Sequence, residues 1–568
     1  MAGSTSPHHQ TPLGNIPSDQ NLVVNLGVLS SSIETPDGRV VETTIRRQLS
    51  YTSKLEAEHS ERQKLAKEME FMRAQVAALV AQVSLEPFKL IKSSNPQFVI
   101  SINVTASLRP EMDDSTRLLL VTYPIQGQIT PSLLFAKRLV KMGVNVTFVT
   151  AFSALNRITN SFSANLQGLT FFGFSDGYDD GSKLENPAAT GKAIAINGPK
   201  AVAELIKSED ERGQHFAHVV YTTYLPWVAR VARALHVPST FLWIQPATVW
   251  SVYHYYFNGY RDAIQKIINN PTSAVELPGL PLLTDADLPS PLLDSSTINS
   301  ALVSILKEHL DILDIETNPK ILVNTFDALE SGALRSIEKL NFVAVGPLIP
   351  SAFLDGKDPS DTSSGGDLFH DSKSYMGWLN TCSSKSVVYV AFGSLSAVRK
   401  QQMQEIAHGL LECGRPFLWV VRASDEEKLS CKEQLEQRGM IVPWCSQVEV
   451  LSHPSIGCFM SHCGWNSSLE SILSAVPVVA FPLVFDQVTN GKLIEDVWKT
   501  GMRVRRNGEG IVDSSEIKRC IEVVMGRDEM RNNAEKWKDL GREACKEGGS
   551  SDKNLKTFVE EIRASLVE

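Results

Sequence analysis

Residues 444–487 read WCSQVEVLSHPSIGCFMSHCGWNSSLESILSAVPVVAFPLVFDQ, and this stretch decides the fold. The apolar run GCFM at 457–460 predicts a short buried strand, and SLESIL at 468–473 has helical spacing. The polar residues between them should therefore form a strand-to-helix turn. The first N–H groups of a helix lack intrahelical partners and, with the helix dipole, attract phosphate. The turn is thus a candidate phosphate site.

Ser467 and Glu470 allow a second interpretation of this turn. Their spacing, S-x-x-E, is that of a capping box, in which the two side chains bond only to the backbone of their own helix. The spacing alone favours the cap. His462, a possible donor to a phosphate oxygen, and Gly464, which lets the backbone approach a ligand, favour the phosphate site instead.

On both sides of the linker-like residues 347–373, apolar strands alternate with helical segments. LLLVTYP, TPSLLFAKRLVKMG and VNVTFVT give a βαβ opening from Leu118, and SVVYVAFGS, FLWVVR, GCFMS and VVAFP form a second series. The segment between the series is rich in Gly, Ser, Asp and Pro. We therefore predict an α/β protein with two Rossmann-like domains, 112–346 and 374–545, joined by a linker. Ligands of such sheets sit at the carboxyl ends of the strands.

Residues 1–111 fall outside this pattern. The first 50 residues are rich in Ser, Thr, Pro and Asn, which predicts disorder. Residues 53–83 predict a helix with a coiled-coil seam of fewer than three heptads. This helix could mediate self-association. Its shortness favours a solvated helix, or a segment joined to the chain by gene rearrangement or by an incorrect gene model.

The composition is that of a globular chain of 568 residues, 43% hydrophobic, with a net charge of −9. That charge offers no general basic surface for nucleic acid or anionic membrane. The chain has no apolar run of about 18 residues and no apolar signal segment at its N-terminus. Eight cysteines lie in the last third without metal-binding spacing, which indicates a reduced, cytoplasmic protein. We expect a monomer without metal or cofactor.

The stretch 444–487 resembles the donor-binding signature of the plant UDP-dependent glycosyltransferases. The match runs from Trp444 through His462 and Glu470 to the closing pair Asp486 and Gln487. The resemblance implies the GT-B fold, in which two Rossmann-like domains face each other across a cleft, with a final helix, 546–568, crossing back to the first domain. It also implies UDP-glucose as co-substrate, because a closing Gln resembles the glucose-using members, and it implies no metal.

The resemblance assigns a role to each donor-site residue. Trp444 would stack on uracil, and Glu470 would accept hydrogen bonds from both ribose hydroxyls, which suits a carboxylate. The uracil edge would be held by Cys445 and Gln447, the diphosphate by Ser394, His462, Asn466 and Ser467, and the sugar by Trp465, Asp486 and Gln487.

The loop TYPIQGQITP at 122–131 departs from the family pattern. Gln128 stands where the family has the His that removes the proton of the acceptor hydroxyl, and Thr222 stands at the position of its Asp partner. An imidazole with a pKa near 6.5 can take that proton and a carboxamide cannot. Losing a positioned base costs about 100- to 10,000-fold in rate. The chain is therefore either an inverting O-glucosyltransferase restricted to acidic acceptors, or a catalytically impaired UDP-sugar-binding protein.

The segment WSVYHYYFNGY at 250–260 places six aromatic side chains on one predicted helix. Such a stripe is more typical of a core than of a pocket, although an aromatic groove would also hold a flat phenol. With FSDGYDDG at 174–181 and ELPGLPLL at 276–283, it resembles the anthocyanin 5-O-glucosyltransferase branch. That resemblance implies a flavonoid, an anthocyanin or another phenolic acceptor.

Overall fold

The computed structural model of the protein describes residues 116–566, with several gaps. The gaps are 162–165, 180–186, 271–272, 294–295, 395–397 and the residues between 355 and 373 other than Gly356, Asp358 and Asp361. The predicted extension 1–111 and its helix at 53–83 lie outside the described residues, so both stay predictions.

Seven parallel strands form the sheet of the N-terminal domain. They are β1 (Arg117–Val121), β2 (Asn145–Ala151), β3 (Leu169–Phe174), β4 (His218–Thr222), β5 (Ser239–Trp243), β6 (Lys320–Val323) and β7 (Asn341–Ala344). Their order in the sheet is β3-β2-β1-β4-β5-β6-β7. The order reverses direction at β1 and β4, so the carboxyl ends of these two strands border the crevice in which open parallel sheets bind ligands.

Six parallel strands form the sheet of the C-terminal domain. They are β8 (Val387–Ala391), β9 (Phe417–Val420), β10 (Met440–Val442), β11 (Ile456–Ser461), β12 (Val478–Ala480) and β13 (Gly501–Arg503). The order β10-β9-β8-β11-β12-β13 places the reversal between β8 and β11. Strand β11 is buried along its full length, as the run GCFM predicts.

Helices cover both faces of the two sheets. In the N-terminal domain they are α1 (Gln126–Lys141), α2 (Phe152–Ser161), α3 (Pro187–Asp210), α4 (Pro226–Ala234), α5 (Ala247–Phe257), α6 (Arg261–Asn269), α7 (Thr297–Asp314) and α8 (Ser351–Leu354). The helices that follow in the chain are α9 (Ser374–Leu379), α10 (Lys400–Cys413), α11 (Lys432–Glu436), α12 (Gln447–Leu451), α13 (Trp465–Leu473), α14 (Gln487–Lys492), α15 (Ser514–Gly526), α16 (Asp528–Cys545) and α17 (Ser550–Ala564). The β1–α1–β2 opening confirms the predicted βαβ unit. Both domains are Rossmann-like, so the α/β fold class and the GT-B architecture are confirmed.

An apolar cluster joins the two domains beneath the cleft. Phe326 and Leu329 of the N-terminal domain pack with Trp465 and Trp498 of the C-terminal domain. The Trp498 indole N–H donates to the Leu329 carbonyl at 3.2 Å, so the cluster also carries a polar contact between the domains. This packing holds the two carboxyl edges of the sheets against a shared cavity.

The last helix, α17, packs against the sheet of the N-terminal domain. Its apolar face, formed by Leu555, Phe558, Val559 and Ile562, is buried in the cluster that covers β1, β2 and β4. The Asn554 side chain donates to the Ala344 carbonyl at the end of β7 at 2.9 Å. The chain therefore ends on the domain in which the described residues begin.

Among the described residues, every helix is too short or too polar to cross a lipid bilayer.

Candidate active site

A cavity of about 950 Å³ lies between the carboxyl edges of the two sheets. Its walls include the segments that follow β1, β4 and β5 in the N-terminal domain and β8, β10, β11 and β12 in the C-terminal domain. Twelve of the thirteen predicted site residues line it, and the exception is Thr222. The twelve are Gln128, Ser394, Trp444, Cys445, Gln447, His462, Trp465, Asn466, Ser467, Glu470, Asp486 and Gln487.

The predicted nucleoside end of the cavity is a connected polar network. The Gln447 side-chain amide donates to Ser467 Oγ at 2.7 Å and to the Glu470 carboxylate. The Tyr389 hydroxyl donates to Gln447 Oε1 at 3.2 Å and lies 3.3 Å from Cys445 Sγ. Sequence reasoning missed Tyr389, because it sits inside the apolar run of β8. The network holds the groups that the resemblance assigns to uracil and ribose.

The capping-box interpretation of Ser467 and Glu470 is wrong. Helix α13 begins at Trp465 with Gly464 as its N-cap, and no side chain caps it. Ser467 is therefore the third residue of the helix, and its hydroxyl bonds to Gln447 instead of the helix backbone. The first N–H groups of α13 thus have no side-chain cap and face the cavity end where a phosphate was predicted.

His462 is wedged between two glycines at the end of β11. A Cβ atom on Gly393 would stand 2.6 Å from His462 Nε2, and one on Gly464 would stand 2.5 Å from it. Only glycine at these two positions leaves room for the ring in its present place. Burial lowers the pKa of His462 to about 4, although the Ala391 carbonyl acts to raise it. The imidazole is therefore neutral near pH 7.

The predicted sugar-binding pair lies at the start of α14, with Asp486 as the N-cap and Gln487 as the first helical residue. Gln487 Oε1 accepts from the N–H groups of Leu483 and Val484 at 2.9 and 3.0 Å. Asp486 is buried and accepts from the Asn490 side chain at 2.8 Å, and burial raises the pKa of its carboxyl to about 6. The side-chain oxygen of Gln487 is thus occupied by these two backbone N–H groups.

Trp465, which the resemblance assigns to the sugar, lines the cavity and also contacts the N-terminal domain. Its side chain is only 3% exposed and packs against Trp498. The indole N–H donates to the Asn324 carbonyl of the N-terminal domain at 2.7 Å. The ring thus contributes to the domain junction as well as to the lining of the cavity.

Gln128 lies in the first turn of α1 and lines the cavity. Its side chain is only 4% exposed, and its Oε1 is buried without a hydrogen-bond partner among the described residues. His462 is the only histidine among the described residues that line the cavity. No imidazole in this wall can therefore substitute for the missing base next to Gln128.

Thr222 lies behind the cavity wall rather than in it. Its Oγ1 is 3.3 Å from Thr122 Oγ1 and accepts from the Tyr123 N–H at 3.4 Å. It makes no hydrogen bond to the Gln128 side chain within the described part of the chain. Ser132 instead bonds both to Thr122 Oγ1 and to the Gln128 carbonyl. Thr222 is therefore a structural hydroxyl and not an orienting partner.

One donor-site side chain reaches across the cleft. Asn466 Nδ2 donates to the Gly127 carbonyl at 3.1 Å, which joins the start of α13 to the loop that carries Gln128. The amide assigned to the diphosphate therefore also touches the predicted acceptor loop, so the two halves of the site meet at this contact.

The acceptor end of the cavity is mostly apolar and aromatic. Tyr123 and Tyr224 stand edge to face with ring centroids 5.2 Å apart, and Trp227, Ile194 and Ile305 complete the apolar wall. Sequence reasoning missed these residues, since they come from separate loops and helices. The aromatic stripe at 250–260 is core, because Trp250, Tyr253 and Tyr255 are buried and none of the stripe residues lines the cavity.

Comparison with known proteins relates this geometry to characterised ones. A family model described as UDP-glucoronosyl and UDP-glucosyl transferase matches residues 368–543. The chain is 53% identical over 464 residues to a crocetin glucosyltransferase, named as chloroplastic, from Gardenia jasminoides, covering 79% of this chain and 98% of that protein. It is 50% identical over 462 residues to an anthocyanidin 3-O-glucoside 5-O-glucosyltransferase from Verbena hybrida, covering 78% and 98%.

A solved structure shares the fold. Os79 from O. sativa, crystallised in complex with UDP, is 33% identical in sequence with a TM-score of 0.70. The match covers 78% of this chain and 100% of that one, so it spans both domains.

Proposed function

This chain belongs to the family of plant UDP-dependent glycosyltransferases, and from that premise we propose that it transfers glucose from UDP-glucose to a phenolic acceptor with inversion. The family resemblance of the sequence is thereby confirmed, and the chain is a UDP-glycosyltransferase. The choice of glucose, the acceptor and the stereochemistry belong to the proposal. One observation supports it above others: a single cavity joins the nucleoside network around Gln447 to an apolar aromatic wall.

The donor half has the groups that a departing diphosphate requires. In the transfer, the acceptor oxygen forms a bond to the anomeric carbon while the bond from that carbon to the phosphate oxygen breaks, and UDP leaves with the electron pair. The N–H groups at the start of α13 can donate to the negative charge that develops, beside the neutral ring of His462. Both are held in place before the ligand arrives, which makes them effective.

The acceptor half constrains which acceptor can react. Gln128 can hydrogen-bond the acceptor oxygen and position it, but it cannot accept the proton. The proton must therefore leave to water before the attack, which favours acceptors that are partly ionised near pH 7. We infer an acidic acceptor, with a flavonoid or anthocyanin phenol as the first candidate. The Tyr123, Tyr224 and Trp227 wall suits such a flat ring.

A second function is favoured by the same loop. Gln128 Oε1 has no hydrogen-bond partner in the described part of the chain, and Thr222 lies behind the cavity wall, so neither position supplies the proton acceptor or the orienting group that the family uses. A protein of this kind would bind UDP-glucose without turning it over. The donor network is intact in both cases, so binding of UDP does not separate the two functions.

A measurement of glucoside formation distinguishes the transferase from the binding protein. We would incubate the protein with UDP-glucose and a series of flat phenols of similar size whose pKa values run from about 7 to 10, the upper end being that of an ordinary phenol, and quantify glucoside and UDP by chromatography. The transferase predicts rates at pH 7 that fall as the acceptor pKa rises. No glucoside with any acceptor, while UDP still binds, would establish the binding protein instead.

We also propose that the protein works in the cytosol, as a monomer and without a metal or a bound cofactor. All eight cysteines are free thiols, which suits a reducing compartment. Fractionation of a tagged protein tests the compartment, and light scattering of the purified protein tests the oligomeric state. Assays with and without a chelator test the independence from metal.

A further inference from the structure

The loop that carries Asp486 and Gln487 contains one residue in an unfavourable backbone conformation. Phe485, directly before this pair, has a φ of 61°, in the left-handed region. For a residue with a bulky side chain this conformation persists only when the surroundings hold it. The bonds within the loop, from Leu483 and Val484 to Gln487, do not involve the Phe485 backbone. Something outside the loop must therefore hold Phe485.

Ser290 of the N-terminal domain supplies that restraint. Its Oγ accepts from the Phe485 N–H at 2.7 Å, and its own N–H donates to the Phe485 carbonyl at 2.9 Å. Two hydrogen bonds of opposite direction thus fix both peptide groups of one residue. They come from the other domain, across the cleft that holds the cavity.

The segment that carries Ser290 is itself anchored to the C-terminal domain. Asp287 is 1% exposed and accepts from Arg503 Nη1 of β13 at 2.7 Å. Its carbonyl accepts from Thr489 Oγ1 of α14 at 2.7 Å, and Lys492 Nζ lies 3.6 Å from its carboxylate. A capping box between Thr284 and Asp287 stiffens the same turn. Ser290 is therefore a rigid contact and not a flexible surface side chain.

We propose that Ser290 is a positioning residue for the donor sugar: it holds Phe485 in its left-handed conformation and so orients Asp486 and Gln487 toward the hexose. This inference rests on the proposed function, in which the cavity binds UDP-glucose. It separates two parts of donor recognition. The nucleoside network of Gln447, Ser467 and Glu470 lies within the C-terminal domain, whereas sugar recognition depends on a residue of the N-terminal domain.

The test compares equilibrium binding of UDP and of UDP-glucose, by calorimetry, to the full-length protein and three variants. Ser290→Ala removes the hydroxyl that accepts from Phe485, and Ser290→Thr keeps a hydroxyl at that position. Ser208→Ala is the matched control, because among the described residues the Ser208 hydroxyl bonds only within α3, to the Leu205 carbonyl at 3.0 Å. Loss of one hydrogen bond changes affinity by roughly two- to tenfold.

We expect Ser290→Ala to raise the Kd of UDP-glucose about fivefold and to leave that of UDP within about twofold. Ser290→Thr should restore UDP-glucose binding, and Ser208→Ala should change neither Kd. An equal rise in the Kd values of UDP and UDP-glucose would mean a general defect of the fold and would overturn the positioning role. Two unchanged Kd values would overturn it as well. Failure of the unsubstituted protein to bind UDP would instead overturn the proposed function.

Discussion

Replacing Gln128 by His should give the acceptor loop the proton acceptor that it lacks. The Gln128 side chain is buried in the cavity wall and its Oε1 has no partner among the described residues, so the change breaks no hydrogen bond of that atom. A positioned base contributes about 100- to 10,000-fold. Thr222 Oγ1 is already engaged by Thr122 and by the Tyr123 N–H, so it cannot orient the new ring. We therefore expect the rate to rise by the lower end of that range, about 100-fold, which corresponds to a lowering of the activation barrier by about 2.7 kcal/mol.

The assay compares kcat/KM for two acceptors of matched shape at saturating UDP-glucose. One is a phenol with a pKa near 10, and the other is its carboxylic acid analogue, which is ionised at pH 7. The phenol should gain about 100-fold from Gln128→His, whereas the carboxylate should gain little, because it has no proton to lose. With the phenol, kcat/KM of the unsubstituted protein should rise with pH up to the pKa of the acceptor. That of the variant should stop rising near the pKa of the imidazole.

Gln126→His is the control for this experiment. Gln126 lies in the same loop and also lines the cavity, but its side-chain amide donates to Thr130 Oγ1 at 2.7 Å. It should produce no gain with either acceptor. Equal gains for phenol and carboxylate from Gln128→His would refute the reasoning, and so would rapid turnover of the phenol by the unsubstituted protein.

Three further predictions concern the donor site and the response to acid. Trp444→Ala or Glu470→Ala should weaken UDP binding by about 1 to 3 kcal/mol in calorimetry, and unchanged affinity in both would contradict the assignment of the nucleoside end. Gly464→Ala should push the His462 ring from its place and weaken UDP binding about tenfold or more, whereas Gly377→Ala, with open space around its Cβ, should not. Burial lowers the pKa of three imidazoles to about 4, 3 and 4, namely His218, His309 and His462. Between these values and 6.5 the three imidazoles bind more protons in the unfolded chain than in the folded one, whereas Asp486, whose pKa burial raises to about 6, is protonated first in the folded chain and offsets part of the effect. The free energy of unfolding should therefore fall as the pH drops from 6.5 to 4.5, and urea midpoints that stay constant over this range would contradict it.

The parts of the fold that the sequence predicted are those with a local signal. The run GCFM and the helical spacing of SLESIL located β11 and α13, and the βαβ opening located β1, α1 and β2. The position of the first helical residue was harder to predict. S-x-x-E suggested a cap at Ser467, but Cys463 takes a positive φ of 64° and lets the helix begin at Trp465.

The apolar wall at the acceptor end and the contacts of the donor site with the N-terminal domain could not be predicted from the sequence. They join residues that lie far apart in the chain. Tyr123 and Tyr224 lie on separate segments with no shared period, and they meet because β1 and β4 are neighbours in the sheet, while Ile305 comes from α7. The contact of Trp465 with the N-terminal domain could not be predicted for the same reason. Its place in the signature resembled a ligand contact, while its actual neighbour, Asn324, is 141 positions away in the chain.

Because α17 packs on the N-terminal sheet, the polypeptide passes between the domains twice, once between Leu354 and Ser374 and once between α16 and α17. A single protease cut in the first passage would therefore leave two fragments that stay associated, since the smaller, C-terminal fragment still packs on the N-terminal fragment through Leu555, Phe558 and their neighbours. The same topology makes the molecule suitable for division into complementing halves. Loss of the last fifteen residues, by contrast, would expose one face of the N-terminal sheet to solvent.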